Sequence, residues 1–237
     1  MIPGNSRLSA NTALLVEMIE RLEDLTDAFV LVGGCATGLL VTATRAQLIR
    51  GTVDVDLIVK VATILEYQAI ERRLLARNFV QDRSPEAPIC RWLNSGLQLD
   101  VMPSEPGVLS FHNRWYPQAL ATATEYRLPN GKSIRLVTAP LFIATKLEAF
   151  LDRGDRDFSA SHDIEDIVTV IDGRAELIAE ARLAPPGVRD YLRNQCSLLI
   201  SSDAFISVIP HHLAPDAASQ RRADLVLSRF GELASLE

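Results

Sequence analysis

The sequence predicts an α+β fold, in which a sheet flanked by helices comes first and a helical part follows at the C-terminal end. Short β-branched or alternating segments, which are typical of strands, recur through the first 138 residues. Beyond residue 139 the apolar residues mostly follow helical spacing, and Gly, Pro and Asn mark the turns between segments. We therefore expect a sheet domain over residues 1–138 and a helical domain over residues 139–237 that contributes to the functional site.

Each predicted element rests on its own apolar pattern. The expected elements of the first half are a helix at 11–25, a strand at 29–32, a helix to about 41, a strand at 53–59 and a helix at 61–77. A hairpin at 89–93 and 97–102, a strand at 133–137, helices at 141–151 and 163–171 and a mostly helical stretch at 175–237 follow. Residues 103–132 are rich in Pro, Gly and aromatic side chains and show few periodic signals, so no element is assigned there.

Composition and charge place the chain among ordinary globular proteins. Its 237 residues are enough to bury a substantial core, and 48% are hydrophobic against 23% charged. The net charge of -6 argues against indiscriminate nucleic-acid binding, although it leaves room for a local basic groove. Cys35, Cys90 and Cys196 are too far apart for a cysteine zinc site and fit a reducing compartment. We expect a cytoplasmic protein with no membrane partner.

The acidic residues of the strand at 53–59 form the sharpest candidate site. Asp54 and Asp56 are two residues apart, so they project from the same face of the strand. Two carboxylates this close repel each other unless a cation neutralises them, and Mg²⁺ takes carboxylate oxygens together with substrate phosphates. Asp100, inside the apolar strand at 97–102, has the position expected of a third ligand. The three residues predict a site for two divalent metal ions, Mg²⁺ or Mn²⁺.

The context of this motif matters more than its spacing. The chain contains 16 Asp, so an Asp-x-Asp is expected about once by chance, and a second one does occur at Asp155-Arg156-Asp157. Upstream of the acidic strand, however, Gly33-Gly34 follows a strand and opens a helix. Backbone N–H groups at such a position can meet phosphate oxygens. A tight turn that packs helix on strand is the plain structural alternative.

Together these residues resemble the DNA polymerase β-like nucleotidyltransferase superfamily, whose mark is Gly-Gly or Gly-Ser at a helix start, an Asp-x-Asp strand and a third Asp on a neighbouring strand. The chain is more closely similar to the AbiEii/AbiGii toxin family of nucleotidyltransferases, which includes the MenT-type toxins. The similarity covers about residues 28–171. The matching positions are Gly33-Gly34-Cys35-Ala36, Arg50 with Thr52, Asp54, Asp56 and Leu57, Lys146 with the residues up to Arg153, and His162-Asp163 with Asp166.

The resemblance implies a polymerase β-like mixed sheet flanked by helices and a nucleoside triphosphate (NTP) as substrate. The residues it assigns to NTP binding are Gly33, Gly34, Arg50, Thr52 and Lys146, and those it assigns to catalysis are Asp54, Asp56, Asp100, Lys146 and Asp163. Asp163 would orient Lys146 or the acceptor. Cys35 and His162 depart from the family's hydroxyl residue and arginine, which puts nucleotide affinity in question more than the fold. A snorkelling Lys146 and a helix-terminal Asp163 are the structural alternatives.

The expected activity is the transfer of a nucleotide from an NTP to an acceptor hydroxyl. The resemblance implies a toxin of a toxin–antitoxin pair that acts on tRNA and has a cognate antitoxin protein as a partner. Alternatives are a small-molecule or protein acceptor, an inactive nucleotidyltransferase-like module that binds a partner, and a two-metal nuclease. The last would not call for the Gly-Gly turn or for Lys146.

Some further features have both a functional and a structural interpretation. Aromatic side chains could stack on a nucleobase or fill the core, and clustered arginines could line a groove for RNA phosphates or form a solvated helix end. The aromatic residues are Trp92, Phe111, Trp115 and Tyr116, and the arginines are Arg72, Arg73, Arg77 and Arg83. His211-His212 is expected to lie in a solvated loop.

Overall fold

The structure, a computed structural model, describes residues 9–43, 49–153 and 157–237. Asp155 and Arg156 of the second Asp-x-Asp motif lie outside the described residues, and Asp157 is exposed. The α+β class is confirmed, because one mixed sheet is flanked by helices.

Within the described ranges, seven strands form a single sheet in the order β3-β4-β5-β2-β1-β7-β6. The β1–β7 and β2–β5 pairs are parallel, and the other neighbours are antiparallel. The strands are β1 (Phe29–Val32), β2 (Asp54–Val59), β3 (Val80–Gln81), β4 (Arg91–Asn94), β5 (Leu97–Pro103), β6 (Thr124–Arg127) and β7 (Ser133–Leu136). The three central strands β5, β2 and β1 carry the most buried side chains, so the core lies on both sides of them.

The register of the central strands places the acidic residues. In β2 the apolar residues Val55 and Leu57 are fully buried, while Asp54 and Asp56 alternate with them on the other face. Asp56 lies opposite Val32 of β1 on one side and opposite Asp100 of β5 on the other.

The helices start and end where capping residues require. Ser9, Thr63 and Ser161 cap the helices that follow them, and Thr63 forms a capping box with Glu66. Pro186 occupies the first turn of its helix, where its missing N–H costs nothing. The helices are α1 (Ala10–Leu22), α2 (Gly33–Leu40), α3 (Ile64–Leu75), α4 (Tyr116–Thr122), α5 (Ala139–Arg153), α6 (His162–Gly173), α7 (Leu177–Leu183), α8 (Pro186–Ile200), α9 (Asp203–Val208), α10 (Ala217–Gln220) and α11 (Ala223–Ala234), with short 3₁₀ helices at Glu23–Ala28 and Ile209–His212.

Several elements differ from the sequence-based expectation. The helix predicted at 61–77 is shorter, since the capping box at Thr63 starts it and it ends at Leu75. Residues 103–132, which showed no clear periodicity, contain α4 and β6. These are short elements whose stability depends on packing and strand pairing, so their sequence signal is weak. The division into domains at residue 138 stays a prediction.

The end of α2 is joined to the end of α6. The N–H groups of Thr42 and Ala43 both donate to the carbonyl of Gly173, at 3.0 and 2.8 Å. Arg174 donates from the α6 side to the carbonyl of Leu40, at 2.7 Å. Backbone from the sheet part and backbone from the helical part are therefore directly hydrogen-bonded. In the part of the chain described, we find no helix long and apolar enough to cross a membrane.

Candidate metal centre

The three predicted acidic residues converge at the centre of the sheet. Asp54 and Asp56 come from β2, and Asp100 comes from the parallel neighbour β5, directly opposite Asp56. One carboxylate oxygen from each can be chosen so that all three lie within 4.8 Å of one another. Asp100 is 6% exposed, whereas the other two are partly exposed. Three carboxylates meeting on adjacent strands form a compact group of hard oxygen donors.

A cleft of about 660 Å³ opens above this group. The sheet forms one wall of the cleft, and α5 and the start of α6 contribute to the other. All the residues predicted to form the site line it, namely Gly33, Gly34, Arg50, Thr52, Asp54, Asp56, Asp100, Lys146 and Asp163. The structure thus brings the whole predicted set to one concave surface.

The Gly-Gly turn fits closely against Asp56. Gly33 has φ +64°, in the left-handed region, and a Cβ atom there would lie 1.8 Å from a carboxylate oxygen of Asp56. The N–H of Gly34 donates a hydrogen bond to Asp56. The turn therefore requires Gly33 for two reasons, and one of its amides holds the carboxylate at the start of α2.

Cys35 follows the Gly-Gly turn, is buried and does not line the cleft. Its thiol donates to the backbone carbonyl of Asp54 at 3.5 Å, and burial raises its pKa above the usual range. Cys35 thus contacts the backbone of β2 and not the cleft.

Asp56 has an electrostatically unfavourable position. Burial raises its pKa to about 7, and the neighbouring carboxylates of Asp54 and Asp100 add to the rise. Lys146 and the Gly34 N–H act in the opposite direction. Within the described ranges no ion pair reaches Asp56. A cation bound here would relieve this repulsion.

Arg91 is an important site residue that the sequence analysis missed. It lies on β4, opposite Asp100. Its Nε and Nη2 atoms donate to the two oxygens of Asp100, each at 2.8 Å, and Nη2 also donates to Asp54 at 2.9 Å. The contact with Asp100 raises the pKa of Arg91 further, so the guanidinium is fully charged. The structure has a two-residue turn at Ser95 and Gly96, which pairs Arg91 with Asp100, whereas the predicted strands at 89–93 and 97–102 pair residue 91 with residue 99. The predicted register was one residue off, so it did not reveal this contact.

Lys146 lies in a buried ionic network on the opposite wall. Its Nζ is 2.7 Å from Asp166 and 3.1 Å from Asp163, and both carboxylates are 2% exposed. Burial lowers the pKa of Lys146, but the two carboxylates outweigh it and hold the pKa above its usual value. Asp163 also binds Arg153 at 2.6 Å, and Asp166 lies 3.4 Å from Arg50. The network fixes the ammonium where it lines the cleft.

Asp166 and Asn11 are further residues that the sequence analysis did not assign to the site. Asp166 appeared there only as part of a motif. Asn11 of α1 donates to the carbonyl of Arg50 at 2.8 Å and accepts from the N–H of Thr52 at 3.1 Å. Thr52 in turn donates from its hydroxyl to Asp54 at 2.7 Å. Asn11 thereby holds the segment that leads into β2, and no local pattern could have indicated a contact across 41 residues.

The aromatic residues with two interpretations lie mostly in the core. Trp92, Trp115 and Tyr116 are buried, although Tyr116 also borders the cleft. Phe111 lines the cleft and is partly exposed. Arg73 and Arg77 both pair with Asp24, and Arg77 also donates to the carbonyl of Leu22. These two arginines therefore hold α3 against the preceding helices. His212 lies in a 3₁₀ helix, and its Nε2 is 2.8 Å from the carbonyl of Phe158.

The donor set suits a divalent cation with a preference for oxygen. Mg²⁺ and Mn²⁺ bind carboxylates and leave positions for water and phosphate, and the trio presents carboxylates to a cleft large enough for a nucleotide. The missing side chain of Gly33 leaves the space that the Asp56 carboxylate occupies. The residues present fit such an ion.

Comparison with known proteins leaves the function open. No family model matches the chain, and a search of curated proteins finds no relative. Among solved structures, the crystal structure of JHP933 from Helicobacter pylori aligns over 94% of this chain and 90% of that chain, with 13% identity and a TM-score of 0.46. We draw no conclusion from this similarity, and the function has to be inferred from the site itself.

Proposed function

We propose that this protein is a metal-dependent nucleotidyltransferase that moves a nucleotide from an NTP to an acceptor hydroxyl. The observation that carries the proposal is the convergence of Asp54, Asp56 and Asp100 in a cleft whose opposite wall presents Lys146. A metal-binding carboxylate group facing a fixed ammonium across an open cleft is complementary to a metal–triphosphate. The polymerase β-like fold suggested by the sequence motifs belongs to the same proposal.

Each side chain has a role that follows from its surroundings. Asp54 and Asp56 are the principal metal ligands, and Asp100 is the third. When bound, the divalent cation neutralises charge on the phosphates and on the attacking oxygen. Lys146 contributes positive charge to the phosphates, and Asp163 and Asp166 hold it in place. Positioning and charge neutralisation supply most of the rate in this type of reaction.

The N-terminus of α2 and the residues beside it complete the triphosphate site. The helix N-terminus carries a partial positive charge that favours a phosphate, and Gly33 and Gly34 line the cleft there. Arg50 lies beside Gly34, so its guanidinium is available at the same wall of the cleft. Thr52 orients Asp54 through its hydroxyl.

The acceptor and the protein partner come from the family resemblance alone. On that basis the acceptor is tRNA, modified at its 3′ end, and the partner is an antitoxin protein. Phe111 lines the cleft, is partly exposed and offers aromatic surface to a nucleobase.

The test is incubation of the protein with each radiolabelled NTP, Mg²⁺ and total tRNA. Wild type is compared with Asp56→Asn, which keeps the shape of the ligand and removes its charge. Asp190→Asn, an exposed position on α8, is the matched control. We expect label in tRNA with wild type and Asp190→Asn, and none with Asp56→Asn.

Parallel reactions replace tRNA with a panel of small hydroxyl compounds or with the protein alone. Label in either would support nucleotidyl transfer and identify an acceptor other than tRNA. No label in RNA, protein or small molecule, with any NTP, would overturn the proposed activity.

A further inference from the structure

The guanidinium of Arg91 already occupies the place of a cation at two of the three acidic residues. Both carboxylate oxygens of Asp100 accept from it, and so does one oxygen of Asp54. The other oxygen of Asp54 accepts from Thr52. Asp56 is thus the member of the trio that, among the described residues, has no cationic partner within ion-pair distance.

This pairing is stronger than an ordinary cross-strand ion pair. The Arg91–Asp100 contact is bidentate, and the side chains of the two residues are 19% and 9% exposed. A planar fork of this kind matches the two oxygens of a carboxylate better than a lysine could. It fixes Asp100 in one orientation and engages both of its carboxylate oxygens.

We propose that Arg91 is a built-in competitor of the divalent cation, so that the guanidinium and the ion exclude each other at Asp100. The inference rests on the proposed function, because it takes the trio to be a metal site. Asp56 offers a carboxylate that, in the described part of the chain, has no cationic partner within ion-pair distance, whereas Asp100 and one oxygen of Asp54 would become available to a divalent ion only as the guanidinium leaves them. The strength of metal binding is therefore set in part by a residue that is not a ligand.

The contact partners make this exchange physically reasonable. Arg91 lines the cleft, so its guanidinium has open space to move into when it leaves the carboxylates. A released guanidinium is also a good partner for phosphate oxygens. Loss of the Arg91 contacts is then compensated when a triphosphate enters with its metal.

The experiment is a titration with Mn²⁺ in the absence of nucleotide. The concentration of the free ion is measured at each step by electron paramagnetic resonance. The proteins are wild type, Arg91→Gln, Asp100→Asn and the double variant. We expect Arg91→Gln to bind Mn²⁺ tighter than wild type by about tenfold or more, since Asp100 becomes available. In the Asp100→Asn background the same substitution releases only the Asp54 oxygen, so it should tighten Mn²⁺ binding less.

Removal of any positive charge near the site would attract a cation, so a charge control is needed. Arg153→Gln removes one charge from the same cleft, and Arg153 contacts Asp163 and none of the trio. We expect only a small change in Mn²⁺ affinity for this variant. The proposed competition would be overturned if Arg91→Gln and Arg153→Gln increased the Mn²⁺ affinity equally. It would also be overturned if Arg91→Gln increased the affinity equally in the wild-type and Asp100→Asn backgrounds.

A second measurement uses the unaltered protein. The Nε–H resonance of Arg91, identified by its loss in Arg91→Lys, is followed while Mg²⁺ is added. Competition predicts a shift of this resonance and faster exchange with water as the guanidinium leaves Asp100. A resonance unchanged at saturating Mg²⁺ would overturn the inference alone, whereas no metal binding by any of the proteins would overturn it together with the proposed metal site.

Discussion

Replacing Asp56 by Asn should make the metal-free protein more stable at neutral and alkaline pH, even though it removes the central carboxylate of the proposed metal site. Asn has the shape of the carboxyl group and no charge, and its side-chain oxygen can still accept from the Gly34 N–H. The charged form of Asp56 is disfavoured in the fold by burial and by Asp54, which raise its pKa to about 7. A neutral side chain avoids both effects.

The size of the effect follows from the pKa. A shift from 3.8 to about 7 corresponds to an upper limit of roughly 4 kcal/mol, and relaxation of the neighbouring charges should reduce it to about 2–4 kcal/mol. Because the folded-state pKa is raised, the folded protein holds this proton more tightly than the unfolded chain does. Wild type therefore loses stability as the pH rises from about 4 to about 7, and the advantage of Asp56→Asn grows over the same range.

The assay is urea denaturation in the presence of EDTA at pH 5 and at pH 8. Asp152→Asn is the matched control, since Asp152 is exposed at the rim of the same cleft and its substitution should change stability by no more than about 0.5 kcal/mol. The reasoning is refuted if Asp56→Asn is less stable than wild type at pH 8. It is equally refuted if the gain at pH 5 is as large as the gain at pH 8.

Further substitutions test the other contacts of the cleft. Gly33→Ala should lower the melting temperature well beyond Gly96→Ala, because both positions have positive φ, worth about 1–3 kcal/mol of strain, but only Gly33 has a carboxylate in the space of the new Cβ. Lys146→Met should destabilise the protein by roughly 3–5 kcal/mol in urea denaturation, since it leaves two buried carboxylates without the ammonium, whereas Met at the exposed Lys132 should change little. Asn11→Ala should cost about 1–3 kcal/mol and weaken Mn²⁺ binding several-fold, because the segment leading into the acidic strand loses its two hydrogen bonds.

Each of these expectations has a clear contrary result. Equal melting temperatures for the two glycine variants would mean that the turn adjusts without affecting the carboxylate. A Lys146→Met protein as stable as wild type would show that the acidic residues around it are not held as ions. Unchanged Mn²⁺ affinity in Asn11→Ala would remove that residue from the positioning of the site.

The sequence alone predicts the parts of this site that depend on local pattern. The alternation in β2 places Asp54 and Asp56 on one face, and the turn at residues 94–96 defines the hairpin that carries Asp100. The position of Gly33 at the site is predicted directly by the strand-to-helix turn that the Gly-Gly pair indicates. These features need only the periodicity of a few consecutive residues.

The remaining parts depend on contacts between segments far apart in the chain. The parallel pairing of β2 with β5 decides that Asp100 faces Asp56, and it has no local signature. The same holds for Asn11, which reaches the start of β2, and for Asp166, which meets Lys146. The contact between Arg91 and Asp100 was missed for a different reason. The predicted three-residue turn sets the hairpin register one residue off, so Arg91 was not placed opposite Asp100.

The hydrogen bonds between the ends of α2 and α6 have a consequence for how the cleft can move. They tie the helix that starts at the Gly-Gly turn to the helix whose first turn carries Asp163. Arg50 adds a second link, since it reaches from the sheet wall to Asp166 on α6. A hinge that opened the two walls at this end would have to break backbone pairing as well as an ion pair. Separation of the two walls is therefore opposed at both places.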